Sequence, residues 1–172
     1  YVNNFEQFRS HSIYVYGPPG TQKTTVLQWV AYQLIEKGIR ARWSSMPQLL
    51  SKLTSSSSFH SDAVKAALDA EIKDLQTVDL LILDESFDKS KSVIWGAGTQ
   101  ISLVDTFLRA RLQDHGKPCI FISNVAPERI AAELGSIYLE SLVQRNLSAR
   151  LEFLDPAPVN EHAGKASLWD FQ

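Results

Sequence analysis

The stretch Gly17-Pro18-Pro19-Gly20-Thr21-Gln22-Lys23-Thr24-Thr25 constrains this chain more than any other. It follows Ile13-Tyr14-Val15-Tyr16, a β-branched and aromatic run that predicts a buried strand. It precedes Val26 to Ile35, where Val26, Val30 and Leu34 recur at helical spacing with Leu27, Ala31 and Ile35 beside them. A strand, a glycine-bearing loop and Lys-Thr at the opening of a helix form the context of a phosphate-binding loop. Backbone N–H groups of such a loop and the unpaired amides of the helix's first turn converge on one anion. Lys23 is then expected to reach the β- and γ-phosphates of a nucleotide, and the Thr24 hydroxyl to ligate Mg²⁺. Gly17, Pro18, Pro19, Gly20, Thr21, Gln22 and Thr25 complete the expected cradle. One residue departs from the pattern, because Gln22 stands where glycine is usual. Its backbone N–H can still serve if its φ is negative, so binding is expected to survive the change.

Beyond this loop the chain alternates strands and helices. Val2, Phe5 and Phe8 predict a short N-terminal helix, and Gly38 is placed to end the helix that follows the loop. Strands are expected over 39–43, 78–83, 117–122 and 149–154. Helices are expected over 46–53, from Ser61 through Leu75, from Ile101 through Leu112, over 127–134 and over 137–145. Thr54 to Ser58 reads as a loop by composition, and Ser86 to Gly98 as a loop because it lacks periodicity. The apolar run Leu80-Leu81-Ile82-Leu83 suits a parallel strand covered on both faces. The expected fold is therefore α/β, a doubly wound parallel sheet with helices on both faces. Ligands of such sheets lie at the carboxyl ends of the strands, where the loop, Asp84-Glu85 and Asn124 all fall.

Composition excludes more than it selects. The 172 residues give one domain with a real core, and a net charge of −2 advertises no global affinity for nucleic acid. No apolar run approaches the roughly 20 residues that span a bilayer, so no membrane partner is expected. The single cysteine, Cys119, cannot form an internal disulfide and reads as a core residue of a cytoplasmic protein. The four histidines pair with neither cysteine nor carboxylate, so no zinc site is expected. With Met46 the only methionine, the natural chain is expected to continue upstream of Tyr1.

Two strand ends carry the candidate chemistry. Asp84 is expected to face Thr24 and hold Mg²⁺, directly or through water. Glu85 is placed to polarise a water for in-line attack on a γ-phosphate, and Asn124 to hydrogen-bond that water or the phosphate. Arginines at 109, 111, 145 and 150 are candidates to neutralise transition-state charge from a neighbouring subunit. Trp29 and Tyr32 lie off the apolar face of their helix. Lys89, Lys91 and Trp95 could grip single-stranded DNA by charge and stacking.

Taken together, these residues resemble an AAA+ ATPase. The likeness is to the compact branch that holds DnaC- and DnaI-type helicase loaders and IstB-type transposition ATPases. GPPGTQKTT resembles its Walker A loop, DLLILDES its Walker B strand, and GKPCIFISN its sensor-1 strand, while GIRARWSSMPQLLSKL is similar to its second strand and following helix. The resemblance spans about residues 10–154 and implies an AAA+ domain over 1–154 with a minimal or absent lid, and an extended tail over 155–172. It further implies ATP and Mg²⁺ as ligands, slow hydrolysis, and a ring or spiral with an arginine in trans. The motif SLVQRN nominates Arg145 for that role, ahead of Arg150 and Arg111. A replicative helicase and single-stranded DNA are the implied partners. A nucleotide-gated module without hydrolysis, a transposition ATPase and a small-molecule P-loop kinase are the alternatives. Asp84-Glu85 and Asn124 count against the kinase.

Overall fold

The computed structural model describes residues 2–8, 10–56, 61–91 and 98–154. A 3-10 segment, Val2–Phe8, leads into strand β1, Ser12–Tyr16. Then follow helix α1, Lys23–Glu36, strand β2, Ala41–Ser45, and helices α2, Met46–Ser56, and α3, Asp62–Thr77. Strand β3, Leu80–Asp84, precedes helix α4, Gly98–Arg109, which runs on into a π-helical turn, Ala110–Asp114. Strand β4, Cys119–Ser123, helices α5, Ile130–Leu134, and α6, Ile137–Arg145, and strand β5, Leu147–Glu152, complete the order.

The five strands form one parallel sheet in the order β2-β3-β4-β1-β5. Strand alternation sorts its side chains to two faces. Ile13, Val15, Ile82, Ile120 and Ile122 point toward α1 and the N-terminal segment, meeting Leu27, Ala31, Leu34 and Phe5. Tyr14, Leu81, Leu83, Cys119 and Phe121 point the other way, onto α2, α4, α5 and α6. Both faces are thus covered, which is what a parallel sheet requires. The cover is uneven, since one helix and a 3-10 segment serve one face among the described residues while the remaining helices serve the other.

Several boundaries differ from expectation for local reasons. The serine run expected to be a loop continues α2 to Ser56, where Ser56 and Lys52 bind Asp69 and Glu71 of α3. The buried stripe of α1 is Leu27, Ala31 and Leu34, while Val26 and Ile35 are exposed with Trp29 and Tyr32. On α3 only Leu75 is buried, and Val64 faces solvent. The tail expected over 155–172 lies outside the described residues, as does Trp95.

Candidate functional site

β1 ends at Tyr16 and the chain turns at once through Gly17, whose φ is +146. Phe153 comes so close that a Cβ at position 17 would sit 2.0 Å from its carbonyl oxygen, and Phe153 N–H donates to Tyr16 O at 2.7 Å. Only glycine fits that crossing. Thr21 Oγ1 closes the loop on Pro18 O at 2.9 Å. Gln22 then takes the left-handed conformation, φ +64 and ψ +14, and its carbonyl accepts the first helical bond from Val26 N at 3.0 Å. The condition of a negative φ at Gln22 is therefore not met: the residue is a glutamine, but the backbone keeps the path for which glycine is usual.

Lys23, the first residue of α1, is buried at 7% exposure. Its Nζ donates to Gly17 O and Pro18 O, both at 2.7 Å, and lies 3.3 Å from Thr21 Oγ1. The ammonium is thus gathered into the loop that it would leave to meet a phosphate. One residue on, Thr24 Oγ1 donates to Asp84 Oδ2 at 3.1 Å, joining the start of α1 to the end of β3. That contact spans sixty positions of sequence. Two hard oxygen donors converging beside a phosphate-binding loop fit Mg²⁺, which takes few protein ligands and fills its remaining positions with phosphate and water.

Around these groups lies a cleft of about 620 Å³, lined by the loop from Pro19 to Thr25 together with Asp84, Glu85 and Asn124. The sequence-predicted loop, Walker B pair and asparagine are thus brought to one cleft. Glu85 is exposed, with φ +51, and its N–H donates to Asp84 Oδ1 at 2.8 Å. Trp43, Ser45 and Gln48, from β2 and the start of α2, also line the cleft. Sequence reasoning missed them, since only the pairing of β2 beside β3, with Ser45 opposite Asp84, brings them there.

The segment after Asp84 is pinned beneath the cleft. Ser86 N–H donates to Ile122 O at 2.8 Å, Ser86 Oγ to Leu83 O at 2.7 Å, and Ser123 Oγ to Ser86 O. Phe87, fully buried with φ +58, stacks on Tyr14 at 6.2 Å and meets Phe121 at 5.4 Å. Burial raises the Tyr14 phenol far above its ordinary pKa, and its hydroxyl donates to Val125 O at 2.9 Å. Asp88, also buried, accepts from Asn124 Nδ2 at 3.0 Å. Lys89 is exposed in the turn beyond.

The arginines part company. Arg145 is exposed at the end of α6 and is not among the residues lining the cleft. Arg150 pairs with Glu128, and Arg109 pairs with Asp105 at 2.7 Å. Arg111 is fully buried in the π-helical turn. Its guanidinium donates to Leu75, Gln76, Val78 and Pro118 carbonyls at 2.8, 3.1, 3.0 and 2.6 Å, and to Cys119 Sγ at 3.3 Å. An arginine that ties the end of α3 to the start of β4 cannot reach a neighbour, so Arg111 is withdrawn as a candidate finger. Burial raises the Cys119 thiol pKa, against a smaller opposing effect of Arg111, which keeps it an inert core group.

No group of three or more His, Cys, Asp or Glu side chains that could hold a metal occurs among the described residues. None of the described helices is long and apolar enough to cross a membrane. No protein-family model matches the sequence, and no curated protein matches it either. Likeness appears in three dimensions. A DnaC helicase loader is similar with a TM-score of 0.71 at 18% identity, over 90% of this chain and 84% of that one. DnaI is similar with a TM-score of 0.64 at 18% identity, over 88% and 78%. A replication initiator DnaA bound to AMPPCP and single-stranded DNA gives 0.62 at 18% identity, over 86% of this chain but 43% of its own length. At such identity the likeness speaks for architecture, and it agrees with the strand order and the loop geometry above: this chain has the P-loop AAA+ fold of the DnaC and DnaI type.

Proposed function

We propose that this chain binds Mg-ATP at the loop from Gly17 to Thr25 and hydrolyses it, serving as a replication-related AAA+ module that helps load a helicase onto DNA. The observation that carries the reading is the convergence of Lys23, Thr24 and Asp84 in one cleft with Glu85 and Asn124 on its wall. Loop amides and the first turn of α1 would hold the phosphates, with Lys23 exchanging its loop carbonyls for the β- and γ-phosphate oxygens. Thr24 and Asp84 would hold Mg²⁺, which would supply positive charge to offset that of the triphosphate. Glu85, exposed at the cleft, would orient a water and take its proton as the water attacks. Asn124 would hold that water in line.

Residues 1–154 would act as the ATPase module, assembling into a ring or spiral in which Arg145 serves the neighbour's cleft. The likeness to a DnaC helicase loader supports a helicase as partner, and the likeness to DnaA bound to single-stranded DNA supports that strand as a second contact. A second reading, a nucleotide-gated binding module with little turnover, draws on Gln22, whose side chain stands at the cleft where glycine leaves room. The two readings part at Glu85→Gln. Phosphate release should collapse by roughly a hundredfold or more while nucleotide affinity persists, as for loss of a general base. If wild type and variant both release phosphate at the background rate, the module reading holds instead.

A further inference from the structure

We infer that Asp88 is a positioning residue that decides which atom of the Asn124 amide serves the cleft. The inference rests on the ATPase reading above. Asp88 is 6% exposed, and its two oxygens face different groups, Ser90 and Asn124 among them. Oδ1 accepts from Ser90 N at 3.0 Å and from Ser90 Oγ, and Oδ2 accepts from Asn124 Nδ2 at 3.0 Å. A carboxylate only accepts hydrogen bonds, so the group it meets on Asn124 must be the amide nitrogen. One of the two N–H groups of Nδ2 is spent on Asp88, which fixes the amide with its acceptor, Oδ1, on the arm away from Asp88, the arm inferred to serve the cleft that Asn124 lines. An acceptor there suits a water about to lose a proton and is a poor partner for an anionic phosphate oxygen.

The rest of the segment makes this arrangement rigid. Ser86 is bonded to Leu83, Ile122 and Ser123, and Phe87 is locked in the core at a positive φ. Asp88 therefore cannot follow Asn124 if the amide turns. Without the carboxylate, the amide could present Nδ2 to the γ-phosphate, holding the triphosphate more tightly but leaving the water unheld. Asp88 thus favours turnover over retention of ATP.

The isosteric change Asp88→Asn tests this without opening a cavity. Ser90 N–H and hydroxyl keep an oxygen acceptor, so the new amide nitrogen faces Asn124 and demands its Oδ1, turning Nδ2 toward the cleft. We expect a melting temperature close to that of wild type and kcat lowered roughly tenfold without a rise in KM. The preference for a non-hydrolysable ATP analogue over ADP, measured by calorimetry, should rise severalfold. A support role for Asp88 predicts no such gain in affinity. Both changes should vanish in an Asn124→Ala background. Unchanged kcat and unchanged preference in Asp88→Asn, or effects of the same size without Asn124, would overturn the inference. Should wild type bind nucleotide but not hydrolyse it, the analogue-to-ADP preference decides alone. A wild-type protein that binds no nucleotide instead defeats the ATPase reading, and the inference falls with it.

Discussion

Gln22 gives the sharpest perturbation, because it holds a left-handed backbone at φ +64 with an exposed side chain. A non-glycine residue there costs about 1–2 kcal/mol. Replacing it with glycine removes that cost but gives the unfolded chain freedom worth about 0.4–1 kcal/mol. No buried contact is lost, and the position caps α1, where glycine is well tolerated. The net prediction for Gln22→Gly is a gain of about 0.5–1 kcal/mol in stability. In a domain of this size that raises the melting temperature by roughly 1–4 °C. Gln22→Ala keeps the strained backbone and should show no such gain. Differential scanning calorimetry of the three proteins without nucleotide measures this directly. The reasoning on strain is refuted if the glycine variant melts no higher than wild type, or if alanine gains as much as glycine. Phosphate release should also rise in Gln22→Gly with no loss of affinity if the side chain crowds the cleft; unchanged or lower turnover would mean that the glutamine is accommodated or useful.

Two further predictions concern the arginines. Arg111→Ala takes the guanidinium donor from the buried Leu75 and Val78 carbonyls, at about 1 kcal/mol or more each, and also from the part-buried Gln76 carbonyl and from Pro118 O, which still accepts from Leu81 N–H, so it should remove about 2 kcal/mol or more of a typical 5–15 kcal/mol stability. A urea melt showing a loss below about 1 kcal/mol would contradict that role. Arg145→Ala should leave nucleotide binding by the monomer intact and lower ATPase activity only on assembly. Mixing it with Lys23→Ala should restore activity at mixed interfaces, and absence of rescue at every ratio counts against an arginine in trans.

Much of this was legible in the sequence because the determining signals are local. Each central strand is an apolar run ending in polar residues, so the loop, Asp84-Glu85 and Asn124 could be assigned to strand ends, and the parallel sheet then brings those ends together. Helix faces were harder. On α1 the sets Val26-Val30-Leu34 and Leu27-Ala31-Leu34 are equally apolar, and only its angle on the sheet selects the second. The serines of α2 carry a loop composition, but partners on α3 extend the helix. Arg111 and Asp88 were invisible as buried groups because their partners, the 75–78 carbonyls and Asn124, lie more than thirty positions away. Periodicity speaks of which face is apolar and says nothing of a buried charge that long-range contacts satisfy. The conformation of Gln22 was not legible for a related reason: a residue's intrinsic preference says nothing of the loop closure at Thr21 and the helix start at Lys23, which together override it.

The central claim is that the loop at the head of α1 is a nucleotide site, and titration calorimetry with Mg-ATP on wild type and Lys23→Ala tests it most directly. Lys23 is the cation that the loop itself gathers beside the expected phosphates. Wild type should bind Mg-ATP with measurable heat, and Lys23→Ala, folded by circular dichroism, should show binding weakened beyond detection. Equal affinities for the two proteins, or no binding by wild type, would contradict the claim.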